Sequence, residues 1–433
     1  MKNNVKAVHK FGGTSLAGVA EITQVIGILE RLETRPVAVV VSASAGVTDT
    51  LHGLVRAAES GGDWPAALAT LVGRCGAMAE ALLDGPRLVE CLDALARDSA
   101  DIHDVLKATA LIGRAPAEVY ALVAGHGELW SARLLAAALA SRGLDADWFD
   151  ARDGLTVITS ELGPTVAWEE TRQRFAAAWT PPPAIRVVTG YIARDEHGGP
   201  TTLGRNGSDF SASIFAALLD AEEVVIWTDV DGVMSGDPRR IPDVSIIPEL
   251  SWHEAMELAY FGAKVLHPRT MAPLVARSIP VWIRNTARPE GLGTRIGAVG
   301  TDGGVKGVTT ISGMALLNLE GAGLIGVPGT ASRLFEALRS AGISVVLISQ
   351  GSSEHSICCA VPEADGLRAR LAVEYAFAAE IHAGQVEGVD LLPSCSILAV
   401  VGEGMRGLPG VAAKLFGALG RAAVNVRAIA QGA

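Results

Sequence analysis

Short β-branched runs alternate along this chain with longer stretches whose apolar residues recur at helical spacing. Residues 5–9 form an extended run. After a glycine turn, Val19, Ile22, Val25, Ile26 and Leu29 fall on one helical face. Residues 37–41 are continuously apolar, the pattern of a strand buried on both faces. The alanine- and leucine-rich stretch 53–113 reads as helical. Gly125-His126-Gly127-Glu128 is expected to open a further helix over 129–141, closed by Gly143, with a short strand at 146–149. Further strands are expected at 185–191 and 224–227, with a hairpin at 196–199 and a helix at 210–219 between them. Residues 280–284 read as the last strand of this region, and the Pro/Gly-rich stretch 289–304 as a linker. Strands alternating with helices predict an α/β fold, a mostly parallel sheet sandwiched by helices.

The tail carries an internal repeat. GTASRLFEAL at 329–338 aligns with GVAAKLFGAL at 410–419, Ile343-Ser344 with Val424-Asn425, and Ile348-Ser349-Gln350 with Ile429-Ala430-Gln431, all at one offset. Each copy reads strand, Pro-Gly loop, amphipathic helix, strand. The first continues into a strand at 355–361 and a helix at 363–379, and the second stops before their counterparts. Gly321, Gly323 and Gly326 fit the dinucleotide glycine pattern, as do Gly402, Gly404 and Gly407. The strand that follows ends in Gln350 or Gln431, however, not in the acid that would hold a ribose. Both are read as turns before ferredoxin-like helices.

Composition narrows the function classes. With 433 residues, 49% of them hydrophobic and 19% charged, the chain can build two or three cores and is too apolar for long disordered regions. A net charge of −11 without a basic block argues against nucleic acid or an anionic membrane as partner. The five cysteines (75, 91, 358, 359 and 395) form no C-x-x-C pair and suit free thiols in a reducing cytoplasm. No signal-peptide core stands at the N-terminus, and no uncharged apolar run reaches about 18 residues.

The candidate chemistry sits where strands end. Lys10-Phe11-Gly12-Gly13-Thr14-Ser15 follows the first strand. Adjacent glycines let backbone amides approach an anion, a helix N-terminus adds partial positive charge, and Lys10 adds a full one. It is not a Walker loop, because the lysine precedes the glycines. Ser42-Ala43-Ser44-Ala45-Gly46-Val47-Thr48 is a small, polar loop after the second strand. Gly204-Arg205-Asn206-Gly207-Ser208-Asp209 is a second glycine-rich helix start, with a guanidinium suited to a carboxylate and an acid placed to hold a lysine. Thr228-Asp229-Val230-Asp231-Gly232-Val233, followed by Asp237-Pro238-Arg239, puts acids at a strand end, where they could meet ribose hydroxyls, a lysine or a metal. Gly262-Ala263-Lys264 and His267 lie at another helix start. Glu128 is expected in a first helical turn, where it could complement the dipole or bind a ligand.

Taken together, KFGGTS at 10–15, SASAGVT at 42–48, GE at 127–128, GRNGSD at 204–209, TDVDGV at 228–233, DPR at 237–239 and FGAKVLHP at 261–268 resemble the aspartate kinases of the amino-acid kinase superfamily. The repeated tail resembles their paired ACT domains. The likeness covers nearly the whole chain and is greatest to the kinase half of bifunctional aspartokinase–homoserine dehydrogenases, through YFGAKVLHPRT, AGISVVLISQGSSEHSI and NVRAIAQG. The resemblance implies a kinase domain at 1–298 and an α+β ferredoxin-like regulatory region at 299–433, with a first ACT domain at 314–390 and an incomplete second at 305–313 plus 391–433. It implies ATP-dependent phosphorylation of the L-aspartate β-carboxylate, the first step of lysine, threonine and methionine biosynthesis. Lys10 would contact the transferring phosphoryl group and Asp209 would orient it, with Gly12, Gly13 and Ser208 lining the phosphates or the substrate. Arg205 would clamp the aspartate α-carboxylate, with Glu128 facing the ammonium and Thr48 nearby. Thr228, Asp229, Asp237, Arg239 and Lys264 would hold the nucleotide, with Mg²⁺ bound mainly through ATP. Gln350, Asn425 and Gln431 would form effector sites, for threonine by resemblance, and a homo-oligomer is expected. Relatives usually carry tyrosine where Met234 stands. Two other readings compete: a non-catalytic amino-acid sensor, and a sister kinase acting on glutamate, acetylglutamate or UMP.

Overall fold

The computed structural model describes residues 6–35, 37–160, 163–180, 183–262, 267–300, 303–351 and 355–431. These divide into two compact units. One runs to Tyr260 and resumes from His267 through Gly300; the other holds Phe261, Gly262 and the chain from Gly303 onward.

In the first unit β1 (Ala7–Phe11) leads through a 3-10 turn, Gly13–Leu16, into α1 (Val19–Glu30). Then come β2 (Val37–Val41), α2 (Val47–Ser60), α3 (Trp64–Leu82), α4 (Gly85–Ile112), α5 (Ala117–Ser141), β3 (Ala146–Phe149), α6 (Ala151–Gly154), β4 (Thr156–Ile158), β5 (Thr165–Val166), α7 (Trp168–Ala178), β6 (Ile185–Thr189), β7 (Ile192–Asp195) and β8 (Pro200–Thr202). The unit closes with α8 (Gly207–Leu219), β9 (Glu223–Thr228), β10 (Glu249–Ser251), α9 (Trp252–Tyr260), α10 (Pro268–Val275), β11 (Val281–Asn285) and β12 (Thr294–Gly297). The main sheet has the order β10-β12-β11-β9-β1-β2-β6-β3, parallel except for β11 against β12. A small sheet, β5-β4-β7-β8, stands apart from it.

The β-branched runs predicted as strands form the centre of this sheet because they are covered on both faces, as parallel strands must be. Ala7 and Phe11 pack with residues of α1 and α5, while the alternate side chain, Lys10, faces α8, which lies against β1, β2 and β9. The chain leaves β1 for β2 on one side and reaches β9 on the other, so β1 marks the switch point of the sheet. Ligand crevices form there, beyond the strand carboxyl ends.

Two expectations are corrected. Gly125-His126-Gly127-Glu128 does not open a helix; it lies inside the 25-residue α5, with Gly125 to Glu128 all buried. Each glycine costs a helix about 1 kcal/mol relative to alanine, and packing explains its presence. A Cβ on Gly127 would lie 2.7 Å from the Ala43 Cβ and 3.1 Å from the Val47 Cγ1. Second, the segment expected as a linker contains β12, which pairs antiparallel with β11 and parallel with β10. Its short run, Thr294-Arg295-Ile296-Gly297, is too weakly β-patterned to stand out among prolines and glycines.

The second unit contains β13 (Gly307–Glu320), α11 (Thr330–Ser340), β14 (Leu347–Gln350), β15 (Ser356–Pro362), α12 (Gly366–Ala376), α13 (Ala378–His382), β16 (Gly388–Val401) and α14 (Val411–Arg421). Its antiparallel sheet has the order β14-β15-β13-β16. The long strands β13 and β16 pair from Gly307 opposite Val401 to Glu320 opposite Gly388, with irregular register around Met314, while β15 meets only Met314 to Glu320. Leu317, Leu319, Leu334, Leu338, Ile357, Val373 and Phe377 form the core over that half. Over the other half, α14 buries none of its residues. The strand expected at the end of the second repeat is absent: 425–431 carries no ladder among the described residues, and it meets the edge strand β14 through a side chain, the Ser349 hydroxyl donating to the Ile429 carbonyl at 2.9 Å.

Candidate active site

The registers of the main sheet bring its strand ends level. Phe11 lies opposite both Val41 and Trp227, Val41 opposite Thr189, and Thr228 opposite Asn285. The loops after β1, β2, β6, β9 and β11 therefore leave from one edge; Gly12, Gly13, Thr48, Asp229, Asp237 and Arg239 follow these strands, while Arg205 comes from the turn between β8 and α8, and Ser208 and Asp209 from the start of α8.

Lys10, the fourth residue of β1, forms a mostly buried ion pair with Asp209 in the first turn of α8, Nζ to Oδ1 at 2.6 Å. The pair joins two glycine-rich helix starts. Gly12 leads the 3-10 turn, and a Cβ there would lie 3.4 Å from the Lys10 Nζ. Gly13 lies closer still to a neighbour, since an added Cβ would be 2.8 Å from the Ala43 carbonyl oxygen. Only glycine lets the first two loops approach this closely. Ser208 is buried beside Asp209. Arg205 precedes them in the same loop, exposed and without an ion-pair partner among the described residues.

Glu128 enters from α5. The Ala43 amide donates to its Oε1 at 3.1 Å, while its Oε2 is buried without a hydrogen-bond partner among the described residues. Burial pushes its carboxyl up to about 8, against the opposing effect of the Ala43 amide. A buried acid with an unused oxygen is a seat for a cationic donor. One helical turn away, Ser131 accepts from the Ser44 amide at 3.1 Å, so α5 holds the 42–48 loop at two points. Thr48 lies half-buried in the first turn of α2, on the same loop.

On the other flank, Thr228 donates to Asp229 at 3.1 Å, and Asp231 accepts from the Asn285 side-chain amide at 2.7 Å and from Arg288 at 2.6 Å. Arg239 grips Asp237 with Nε and Nη2, both at 3.0 Å, and this contact holds the Asp237 carboxyl below its usual range. Met234 forms an isolated bridge with Ile246. Lys264 lies outside the described residues, and His267 caps α10 by accepting from the Arg269 amide. Behind Lys10, His9 accepts from the Trp227 indole at 3.1 Å. Burial first, then Arg284, lowers its pKa to about 4, so it is neutral at pH 7.

Three features of the site escaped sequence reading. Tyr191 follows β6 with φ at 64°, a strained value for an aromatic residue. Burial raises its phenol pKa against a hydrogen bond with Thr202, and its ring lies against the start of α8, where a Cβ on Gly207 would be 2.7 Å from its Cδ2. Its only signal was position, at the end of the buried strand expected over 185–191. Ser131 reads as one more small residue in an alanine-rich helix. Asn285 and Thr286 stood at a strand end that carried no glycine to draw attention.

The expected effector residues lie on two segments that meet where the Ser349 hydroxyl donates to the Ile429 carbonyl at 2.9 Å. Gln350 ends the edge strand β14 and is exposed, and Asn425 and Gln431 are exposed on the segment after α14.

A level strand edge carrying two glycine-rich turns, a lysine and its carboxylate partner belongs to an α/β fold whose strand-end loops suit an anionic ligand. The chain belongs to the amino acid kinase family, whose model matches residues 6–285; an ACT domain model matches 317–377 and 398–433. Among curated proteins it is 42% identical over 441 residues to the chloroplastic bifunctional aspartokinase/homoserine dehydrogenase 1 of Arabidopsis thaliana, covering 100% of this chain and 48% of that protein. It is 37% identical over 436 residues to the bifunctional aspartokinase/homoserine dehydrogenase of Haemophilus influenzae, covering 98% and 53%. The chain thus spans about half the length of the curated relatives it matches. Among solved structures, Escherichia coli aspartokinase III in complex with aspartate and ADP (R-state) superposes with a TM-score of 0.80 at 28% identity, over 99% of this chain and 94% of that one. The same enzyme with lysine and aspartate (T-state) gives 0.79 at 28% identity, over the same shares.

Proposed function

We propose that this chain is an aspartate kinase, transferring the γ-phosphoryl group of ATP to the β-carboxylate of L-aspartate and releasing ADP and 4-phospho-L-aspartate. The observation that carries this reading is the buried Lys10–Asp209 pair between two glycine-rich helix starts, with an exposed guanidinium, Arg205, just before one of them. The family, and a similar structure that holds aspartate and ADP, support it.

The chemistry asks little of a base. An aspartate side chain is ionised at pH 7, so its oxygen attacks the γ-phosphorus directly while the bond to the β–γ bridging oxygen breaks and ADP takes the electron pair. The cost lies in bringing two anions into line. Lys10 and the amides after Gly12 offset that charge, and Asp209 fixes the lysine Nζ. Arg205 takes the α-carboxylate with its planar fork, Glu128 faces the ammonium, and Thr48 and Ser208 line the acid. Thr228, Asp229, Asp237, Arg239 and Lys264 hold the nucleotide. Among the described residues no group of three or more His, Cys, Asp or Glu side chains is placed to hold a metal. A Mg²⁺ would be carried mainly by the ATP phosphates, where it would neutralise developing charge.

The reading extends to the tail. Residues 314–390 form a first ACT domain and 305–313 with 391–433 part of a second, which the two-part pairing of β13 supports. An amino acid is the effector class, supported by a similar aspartokinase that binds lysine; threonine is the member we propose. All five cysteines are free, which fits a reducing compartment such as the cytoplasm.

The test is ADP release from ATP and Mg²⁺ with aspartate, glutamate, N-acetylglutamate or UMP as acceptor. Aspartate alone should support turnover, with the acyl phosphate trapped by hydroxylamine. Turnover with another acceptor, or with none, overturns the assignment.

A further inference from the structure

Thr286 is the first residue after β11, and all of its polar groups are engaged. Its hydroxyl lies 2.8 Å from the Ser15 hydroxyl, in a buried contact. Its amide donates to the Thr228 carbonyl at 2.9 Å, and its carbonyl accepts from the Gln24 side chain of α1 at 3.1 Å. Both hydroxyl residues are more than nine-tenths buried, Ser15 at 4% and Thr286 at 8% exposure.

The sheet order gives these bonds their meaning. β11 pairs with β9 and β9 with β1, so β11 and β1 are not neighbours. Two strand spacings, about 9–10 Å, separate them. The Ser15–Thr286 contact therefore crosses over the carboxyl end of β9, where the 228–231 loop begins. On the far side of Thr286, Asn285 donates to Asp231 at 2.7 Å and Arg288 pairs with it at 2.6 Å. One four-residue segment, 285–288, thus grips the turn after β1 with one hand and the loop after β9 with the other.

We propose that Thr286 is a positioning residue: its hydroxyl bond to Ser15 fixes the distance between the phosphate cradle at Gly12–Ser15 and the nucleotide loop at 228–231. The inference rests on the kinase reading of that site. A nucleotide spanning both loops has its terminal phosphate placed by one and its remainder by the other. A change in their spacing moves the γ-phosphorus relative to the acceptor, and misplacement of this kind is costly in rate. The acceptor's own contacts lie on other loops, at Thr48, Glu128 and Arg205, and among the described residues no hydrogen bond joins Thr286 to any of them.

The test compares Thr286→Val, Thr286→Ser, Ser15→Ala and the double variant Ser15→Ala/Thr286→Val in the full chain. Valine keeps the shape and removes the hydroxyl. One hydrogen bond is worth about a fivefold effect or somewhat more. Thr286→Val should therefore lower kcat/KM for ATP by about five- to twentyfold with the aspartate KM unchanged, and Thr286→Ser should restore it. The double variant should be no worse than the worse single, since both remove one bond. ADP binding, followed as ligand-induced thermal protection, should weaken in the same order and depends on no acceptor acid. If aspartate-dependent turnover fails in the parent chain while ADP binding still follows this order, the acceptor is misassigned and the strap stands. Equal ADP binding by all variants, additive losses in the double variant, or a lowered Tm with unchanged kinetic constants would overturn it.

Discussion

Lys10 and Glu128 illustrate how differently two residues of one site can be read. Lys10 is legible because a lone cation stands before a glycine pair at a strand end, and the ion pair with Asp209 is the arrangement its period-two placement requires. Lys10→Ala should lower kcat at least about a hundredfold, the usual consequence of losing one preorganised charge of ~3 kcal/mol. Aspartate binding should change little, and near-native turnover would remove Lys10 from the phosphoryl contact. Glu128 is legible only as a polar residue beside two glycines. Its character comes from burial, which holds its carboxyl protonated up to about pH 8. The folded chain keeps that proton where an unfolded carboxyl, near 4.5, has lost it. Folding therefore takes up a proton between those values, and stability falls as pH rises through that window. Glu128→Gln should flatten this part of the profile, raising Tm more at pH 8.5 than at pH 5.5. A substrate ammonium reverses the preference, so aspartate binding at pH 7 should release a proton. Calorimetry in buffers of different ionisation enthalpy should detect it in the parent and not in Glu128→Gln. A buffer-independent heat in the parent would show that Glu128 is already ionised.

At the scale of elements, α5 is where sequence and structure part. Two glycines two residues apart resemble a helix start, and local propensity supports that reading. The structure shows instead a continuous helix that needs a smooth surface at Gly127 so that Ala43 and Val47 can press against it. Nothing local in the sequence reports a neighbour more than eighty residues away. Gly127→Ala gains about 1 kcal/mol of helix propensity but overpacks the contact, which costs about 1–3 kcal/mol. It should lower Tm and raise the aspartate KM by displacing the 42–48 loop. Gly53→Ala in α2, where an added Cβ meets nothing within 4 Å, should raise Tm with no kinetic effect. Stabilisation by both variants would show that the α5 contact yields freely.

For the molecule as a whole, the repeated tail poses the regulatory question. Gln350, Asn425 and Gln431 are exposed, so an effector that uses them must cover them. Threonine should slow hydrogen exchange in 347–351 and 424–431, and Gln350→Ala should abolish the protection at 347–351 while leaving uninhibited turnover unchanged. Exchange that is the same with and without threonine would move the effector site elsewhere or change its identity.

The sequence by itself determined the α/β order, the β-branched strands at the centre of the sheet, the glycine-rich turns at their ends and the duplicated tail. Each of these is written in contiguous residues by period, turn chemistry or repetition. Tertiary structure decided what depends on distant partners. It set the level strand ends that gather five loops, the raised carboxyl of Glu128, and Tyr191 against the start of α8. It also made a strand of residues 294–297, and it left 425–431 without one, in side-chain contact with β14 at Ser349 but outside its ladder. Burial and register are properties of the assembled sheet, and a stretch of sequence carries them only through the residues that pack against it.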